Sequence, residues 1–261
     1  MWDTQSQLMD ANRSIFTSLI ATFHQLINFR VIVLLLSYLL VPGCAPSLIS
    51  IDRSELEQLK YQPVIHVVHY PPPPVEADTA ATGAGIAIGG VLGGFAAHAI
   101  AQAEGEKLKN QCSLEDPSPK VREAVIKSLS NEMGFNNFRL VSELLESDEL
   151  GALRNRFGDS LVMDFKTRGW TLGVEPLSQW STRRYYVTYH LQARLIRLRD
   201  SKVMWLGYAK FVESELLSTS STWNELTENN CTLLKTKFGQ AANTCAQQLT
   251  DQLLAKSSLG K

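Results

Sequence analysis

The stretch that decides the fold is Arg184-Tyr185-Tyr186-Val187-Thr188-Tyr189-His190-Leu191-Gln192-Ala193-Arg194-Leu195-Ile196-Arg197-Leu198. From Tyr185 to Leu195, apolar or aromatic residues occupy every second position and polar residues occupy the positions between them. Successive side chains of a strand point to opposite faces, so this alternation is typical of a β-strand with one buried face. We therefore predict a long strand in a sheet that is covered on one side.

Two further extended segments lie on either side of this strand in the sequence. One runs from Ser160 to Lys166, with Trp170 to Val174 continuing it, and the other runs from Val203 to Val212. The dipeptide Asp200-Ser201 suits a tight hairpin between the second and third of these strands. An antiparallel sheet is the expected result.

Helices are predicted before the first strand and after the last. Ser118 as N-cap and Pro119 at the first helical position begin one helix, and Gly134 ends it. Phe135 to Val141 is a candidate strand, and a second helix follows from Ser147 to its C-cap at Gly158.

A last helix is predicted from about Asn230 to Leu254. One face of it is apolar and suited to covering the sheet, and that face carries Leu234, Phe238, Ala242, Cys245, Leu249 and Leu253. The expected fold class is therefore α+β, with an antiparallel sheet covered by helices, in a domain of residues 113–261.

A Gly/Ala-rich helical segment is predicted at residues 79–112. Gly85, Gly89, Gly93, Ala97 and Ala101 recur at a spacing of four, and His98 is the sole ionisable residue between Thr79 and Ala103. This resembles a glycine zipper, whose stripe of small residues lets a second helix approach closely, so Gly85, Gly89 and Gly93 are the expected self-association residues. Two arrangements stay open: a helix inserted in a membrane, or a helix or hairpin packed on the domain or on its own copies.

Residues 44–78 are expected to form a tether with a short strand and a proline-rich linker. The strand is Pro63 to Tyr70, and Pro71 to Pro74 end it. His66 and His69 could suggest a metal site, but three residues apart on a strand they point to opposite faces. No metal site is therefore predicted.

The N-terminal segment contains a short apolar run, Val31 to Val41, after Arg30. It has about half of the roughly 20 residues that a membrane-spanning helix needs, and it fits the core of a signal peptide. The run ends in Val41-Pro42-Gly43-Cys44, which resembles the lipobox of bacterial lipoproteins, although Pro42 replaces the usual small residue.

The lipobox resemblance implies a location. Residues 1–43 would be removed as a signal peptide, and Cys44 would carry acyl chains such as palmitate. In that family an aspartate after the cysteine commonly retains the protein in the inner membrane. Ala45 stands there in this chain, so the resemblance implies an outer-membrane lipoprotein that faces the periplasm.

Composition and cysteines set further bounds. A net charge of −1, with 44% hydrophobic and 20% charged residues, describes a globular protein and gives no electrostatic case for a nucleic-acid partner. An oxidising periplasm would let two of the three cysteines other than Cys44 pair. Cys231 and Cys245 would lie about 21 Å apart on a continuous helix and could pair only if the chain folds back near Gly239. A bridge from Cys112 to either of them, or no bridge, stays open.

One short motif points towards an enzyme. Gly158-Asp159-Ser160-Leu161 matches the signature of the GDSL esterases, and this resemblance implies Ser160 as a nucleophile. That family also needs a buried strand before the motif and a late Asp-x-x-His. The sole histidine after Ser160 is His190, with no aspartate three residues before it. We therefore predict no catalysis and no cofactor.

The predicted function is a non-catalytic, lipid-anchored envelope protein that docks an envelope partner or assembles with its own copies. Its layout resembles periplasmic accessory lipoproteins of transport systems. The alternative is a periplasmic carrier or chaperone with an apolar ligand in a groove of the sheet, lined by Tyr185, Tyr186, Tyr189, Trp170, Trp180 and Trp205. A deep apolar pocket would favour the carrier, and a filled core would favour docking.

Overall fold

The computed structural model describes residues 48–62, 64–78, 80–175, 183–213 and 220–254, and for residues 80–93 it describes the backbone alone. The predicted signal peptide, Cys44 and Trp180 lie outside these ranges. The α-helices are α1 (Arg53–Gln58), α2 (Ala80–Cys112), α3 (Ser118–Met133), α4 (Leu150–Phe157) and α5 (Trp223–Leu254). Leu59–Tyr61 and Leu198–Asp200 form short 3-10 helices.

One mixed sheet contains the strands. They are β1 (Ile65–His69), β2 (Glu76–Ala77), β3 (Phe138–Leu140), β4 (Leu161–Val174), β5 (Arg184–Arg197), β6 (Lys202–Val212) and β7 (Ser221–Thr222). The order is β3-β1-β4-β5-β6, with β2 beside β4 and β7 beside β5. The β4, β5 and β6 pairings are antiparallel, which confirms the predicted α+β fold. The parallel pairings of β1 with β3 and β4 were not predicted.

The sequence pattern of β5 is reproduced in its burial. Tyr185, Val187, Tyr189, Leu191, Ala193 and Leu195 are all buried. They face α2, α3 and α5 and contribute to the larger hydrophobic core, which Trp170, Trp205 and Phe165 fill with fully buried rings. The other face of the sheet carries a smaller core under α4, formed by Val68, Tyr70, Leu145, Leu153, Val162, Ile196 and Leu198.

The C-terminal ends of α3 and α4 follow their predicted glycine signals, whereas two helix starts differ from the prediction. Gly134 ends α3 with φ of +72°, and Gly158 ends α4 with φ of +64°, a region that glycine enters without steric cost. The N-cap of α3 is Pro117 rather than Ser118. The last helix begins earlier than predicted, at Trp223, and is kinked at residues 228–231, where Asn229, Asn230 and Cys231 have positive φ values.

Residues 48–78 differ most from prediction, because they belong to the folded domain rather than to a tether. Ile51, Leu56 and Leu59 are buried in the larger core. Ile49 pairs with Leu206 on the outer side of β6. The Leu206 amide donates to the Ile49 carbonyl at 2.9 Å. Strand β1 lies inside the sheet, between β3 and β4. These buried apolar residues fix the stretch against the core.

The α2 segment is helical, as predicted, but it is not a straight rod. Gly105 packs closely against the chain just before β2. A Cβ at position 105 would overlap the Val75 carbonyl. A straight helix from Ala80 to Gly105 would be roughly 37 Å long. The five-residue connection from Val75 to Ala80 can span at most about 18 Å. The segment must therefore bend between Ala80 and Gly105.

Side chains of α5 close the outer edge of β6. The Gln252 amide accepts from the Tyr208 backbone N–H at 3.1 Å and donates to its carbonyl at 2.7 Å. Gln248 does the same for Lys210, at 2.9 and 3.0 Å. With Ile49 on Leu206, three successive outward-facing positions of this edge strand are occupied. An edge protected in this way is a poor template for pairing with another strand.

Candidate functional site

Ser160 lies in the turn between α4 and β4, where its carbonyl accepts the Leu198 amide at 3.1 Å. It borders a surface cavity of about 260 Å³, which is also lined by Asp159, Arg197 and Arg199. No histidine is among the lining residues of this cavity. His190 lies seven residues from Arg197 along β5, which places it about 23 Å further along the sheet. Ser160 and His190 therefore cannot act as a nucleophile and its base.

The two histidines of β1 lie on opposite faces of the sheet. His66 stacks on Phe157 with the ring centroids 4.7 Å apart. On the other face, Arg122 donates to the Nδ1 of His69 at 2.8 Å. Burial lowers the pKa of both rings, and the nearby charges of Arg139 and Arg122 respectively lower it further. Within the described ranges, no group of His, Cys, Asp and Glu side chains is arranged to hold a metal ion.

The cysteine pairing corrects a prediction. Cys112, at the end of α2, is bonded to Cys231, at the kink of α5, and Cys245 is a buried free thiol. The Cys231–Cys245 bridge, one of the alternatives left open by the sequence, does not form because α5 stays helical through Gly239, so the two residues remain several turns apart. Burial raises the pKa of the Cys245 thiol to about 12, which makes it a poor nucleophile.

The predicted small-residue stripe continues onto the folded domain. Ala97 and Ala101 are buried, and Gly105, at the next fourfold position, lies against the backbone at Val75. His98 lies 3.6 Å from the Glu76 carboxylate beside this contact. Gly85, Gly89 and Gly93 precede these residues at the same spacing, and their surroundings lie outside the described part of the structure. No helix in the described part of the chain is long and apolar enough to cross a membrane.

A buried charge cluster lies on the α4 side of the sheet. Asp164 accepts from Arg194 Nε at 3.0 Å and from the Tyr70 hydroxyl at 2.8 Å. Arg194 also donates to the Asp148 carbonyl, and Lys166 pairs with the Asp148 carboxylate at 2.8 Å. Burial and the adjacent Asp164 raise the pKa of Tyr70, so its hydroxyl stays protonated. Each group has an internal partner, and the cluster therefore fixes the loop before α4 instead of presenting a reactive group.

The cavities formed by described residues do not resemble a carrier's binding groove. Cavities of about 170 and 280 Å³ lie at helix ends, and an open groove of about 620 Å³ lies beside Glu143, Glu146 and Arg156. The aromatic residues proposed as groove lining, Tyr185, Tyr189, Trp170 and Trp205, are instead buried in the core. Tyr186 covers Gly173 on the other face. Among the described residues, these aromatic rings therefore do not line a groove of the sheet.

Comparison with known proteins gives distant structural likenesses. No family model matches this chain. No curated protein matches it either. A neuraminyllactose-binding hemagglutinin homologue from Helicobacter pylori is 10% identical, with a TM-score of 0.33, and the match covers 74% of this chain and 84% of that one.

Two further solved structures match at similar levels. The PelC dodecamer from Paraburkholderia phytofirmans is 10% identical, with a TM-score of 0.28 over 73% of this chain and 88% of that one. Lipoprotein GNA1162 from Neisseria meningitidis is 17% identical, with a TM-score of 0.23 over 69% of this chain and 99% of that one. Likenesses at this level assign the chain to no family.

Proposed function

We propose that this chain is a lipid-anchored protein of the bacterial cell envelope, held at the outer membrane by acyl chains on Cys44 and facing the periplasm. Its folded domain has no catalytic role and serves to dock an envelope partner or to assemble with its own copies. The proposal joins the lipobox-like sequence to the architecture of the domain.

The observation that carries this proposal is the Cys112–Cys231 disulfide, which ties α2 to α5 with both cysteines buried. Structural disulfides form and persist in oxidising compartments such as the periplasm and are rare in the cytosol. A signal peptide that exports the chain would bring it to such a compartment. The apolar run before Cys44 and the bridge therefore support the same location from independent features.

Acylation of Cys44 is tested by metabolic labelling with a fatty-acid analogue. The parent protein should incorporate the label, and Cys44→Ala should not, because it removes the thiol that carries the lipid. Cys245→Ala is the matched control, since it removes another cysteine and should leave the labelling unchanged. Label retained on Cys44→Ala would refute the anchor.

Assembly through the Gly/Ala-rich segment is tested by Gly89→Leu. Close approach of two helices depends on the missing Cβ, so a leucine in the stripe should push the backbones apart and shift oligomers towards monomers. Val91→Leu, about half a turn away, is the control and should keep the parent distribution. Chemical crosslinking in the native envelope measures both. Equal distributions for the two variants and the parent would make the segment a spacer.

A further inference from the structure

The upper part of one sheet face carries a row of basic side chains across three neighbouring strands. Lys210 of β6 is paired directly with His190 of β5, which is paired with Gly169 of β4. Arg168, the bulge residue beside Gly169, donates to Gln192 on the same face at 2.6 Å. We call Arg168, His190 and Lys210 the cationic row. Arg168 and Lys210 are exposed, and His190 is half-buried.

No described helix covers this part of the sheet. Helices α2, α3 and α5 bury their apolar residues in the larger core on the opposite face. Helix α4 covers the lower part of the same face, where the smaller core lies. The residues above it, Thr188, Tyr208 and Val212, are half-buried, so the described chain leaves the row open to solvent.

The row also lacks internal neutralisation. Among the described residues, Arg168, His190 and Lys210 form no ion pair with a carboxylate. The hydrogen bond and charge of Lys166, followed by the charges of Arg194 and Arg168, hold the pKa of Asp148 below its usual value, and the ion pairs of Asp148 are with Lys166 and Arg194. Burial lowers the pKa of His190, and the positive charge of Lys210 lowers it further. His190 is therefore largely neutral near pH 7, and the positive charge of the row comes from Arg168 and Lys210.

The point at which the chain enters the domain lies beside this row. Ile49 is antiparallel to Leu206, so Leu48 lies alongside Gly207, three residues before Lys210 on β6. Leu48 is 59% exposed although it is apolar. Three residues lie between Cys44 and Leu48, so the two α-carbons are at most about 14 Å apart.

We propose that the cationic row rests on the anionic lipid head groups of the membrane that holds the acyl chains, and thereby orients the domain against that membrane. This rests on the proposed function, because the short connection to Cys44 is what brings the row to the lipid. Each basic side chain near an anionic surface strengthens binding, and the attraction fades within a screening length. The acyl chains hold the protein at the membrane, and the cationic row orients the folded domain against it.

The test uses the acylated protein with a fluorescent dye on Thr188→Cys, which lies in the same face as the row. Cys112 and Cys231 are bridged and Cys245 is buried, so the new thiol is the accessible one once Cys44 carries lipid. Vesicles contain phosphatidylcholine with or without phosphatidylglycerol, and head-group nitroxides quench a dye that lies close to them. Flotation of the vesicles in the same sample reports the anchor separately.

We expect quenching at Thr188→Cys to be about twofold or more stronger with phosphatidylglycerol than without it, and to fall at about 1 M salt. Arg168→Glu with Lys210→Glu should remove the difference while flotation persists. Lys120→Glu with Lys127→Glu, which makes the same charge change on α3 beneath the opposite face, should keep it. A dye on Thr171→Cys, on the adjacent strand β4, should give the same result. This second position keeps the test valid if the Thr188→Cys variant does not fold.

The outcomes separate the two proposals. Loss of flotation in the parent overturns the lipid anchor. Flotation with equal quenching in both vesicles, or with the strongest quenching at a dye on Glu123→Cys of α3, overturns the orientation alone. Saturable binding of a glutamate-rich peptide to the row, without lipid-dependent quenching, would assign it to an acidic protein partner and also overturn the proposal.

Discussion

Replacing Cys112 with alanine should lower the free energy of unfolding by about 4 kcal/mol. The bridge joins residues 119 positions apart, so it closes a long loop and removes many conformations from the unfolded chain. Cys231→Ala should cost a similar amount. The double variant should be little worse than either single one, because both remove the same bond. Denaturant unfolding, monitored by circular dichroism, measures these differences.

Cys245→Ala is the control for the loss of a buried sulfur. It should cost about 1 kcal/mol, because it leaves a small cavity without altering the bridge. Reductant should destabilise the parent and Cys245→Ala, and it should leave Cys112→Ala unchanged. A parent protein whose unfolding is indifferent to reductant, or whose non-reduced peptides join Cys231 to Cys245, would contradict the bridge described here.

Alanine substitutions at two glycines of α2 should have opposite effects on stability. At Gly105, a Cβ would overlap the Val75 carbonyl, so α2 must move away from the chain entering β2 at a cost of about 2 kcal/mol. At Gly94 no atom of the described side chains lies within 4 Å of an added Cβ, and alanine should stabilise the helix by about 0.5 kcal/mol or more.

Thermal unfolding of the two glycine variants beside the parent measures this contrast. Both substitutions add one methyl group to the same helix, so helix propensity alone would raise both melting temperatures. A melting temperature for Gly105→Ala at or above that of the parent would show that α2 does not pack on residues 75–77. The packed arrangement of the Gly/Ala-rich segment would then be wrong.

The predictable part of this fold is the part with a strong local pattern. The alternation from Tyr185 to Leu195 fixes which face of β5 is buried, because the side-chain period of a strand allows one register for a one-sided core. Gly134 and Gly158 end their helices because the chain needs positive φ there. These features depend on near neighbours, so the sequence alone reveals them.

The features that the sequence did not reveal depend on distant contacts. The helical pattern of the last helix argues against Cys245 as the partner of Cys231, but the choice of Cys112 follows from where α2 meets the kink of α5. Gln248 and Gln252 look like ordinary polar helix residues, yet they pair with the backbone of β6. Their spacing of four, opposite alternate strand positions, is the signal that a search could have used.

The candidate site shows the same division. Ser160 is excluded as a nucleophile from the sequence because no suitable Asp-x-x-His follows it. The structure adds that His190 lies far from Ser160 along the sheet. The cationic row combines residues from three strands, with Arg168 brought into it by the irregular register between Thr167 and Gly169. A bulge of this kind depends on strand pairing, so Arg168 reads in the sequence as one more surface arginine.

The measurement that most directly tests the lipid anchor is the mass of the N-terminal peptide of the protein isolated from its native envelope. If the protein is anchored through Cys44, the mature chain begins at Cys44 and carries the added mass of acyl chains on its thiol and amino terminus. No peptide from residues 1–43 is then expected. A mature protein that retains residues before Cys44, or that contains Cys44 as an unmodified internal residue, would contradict it.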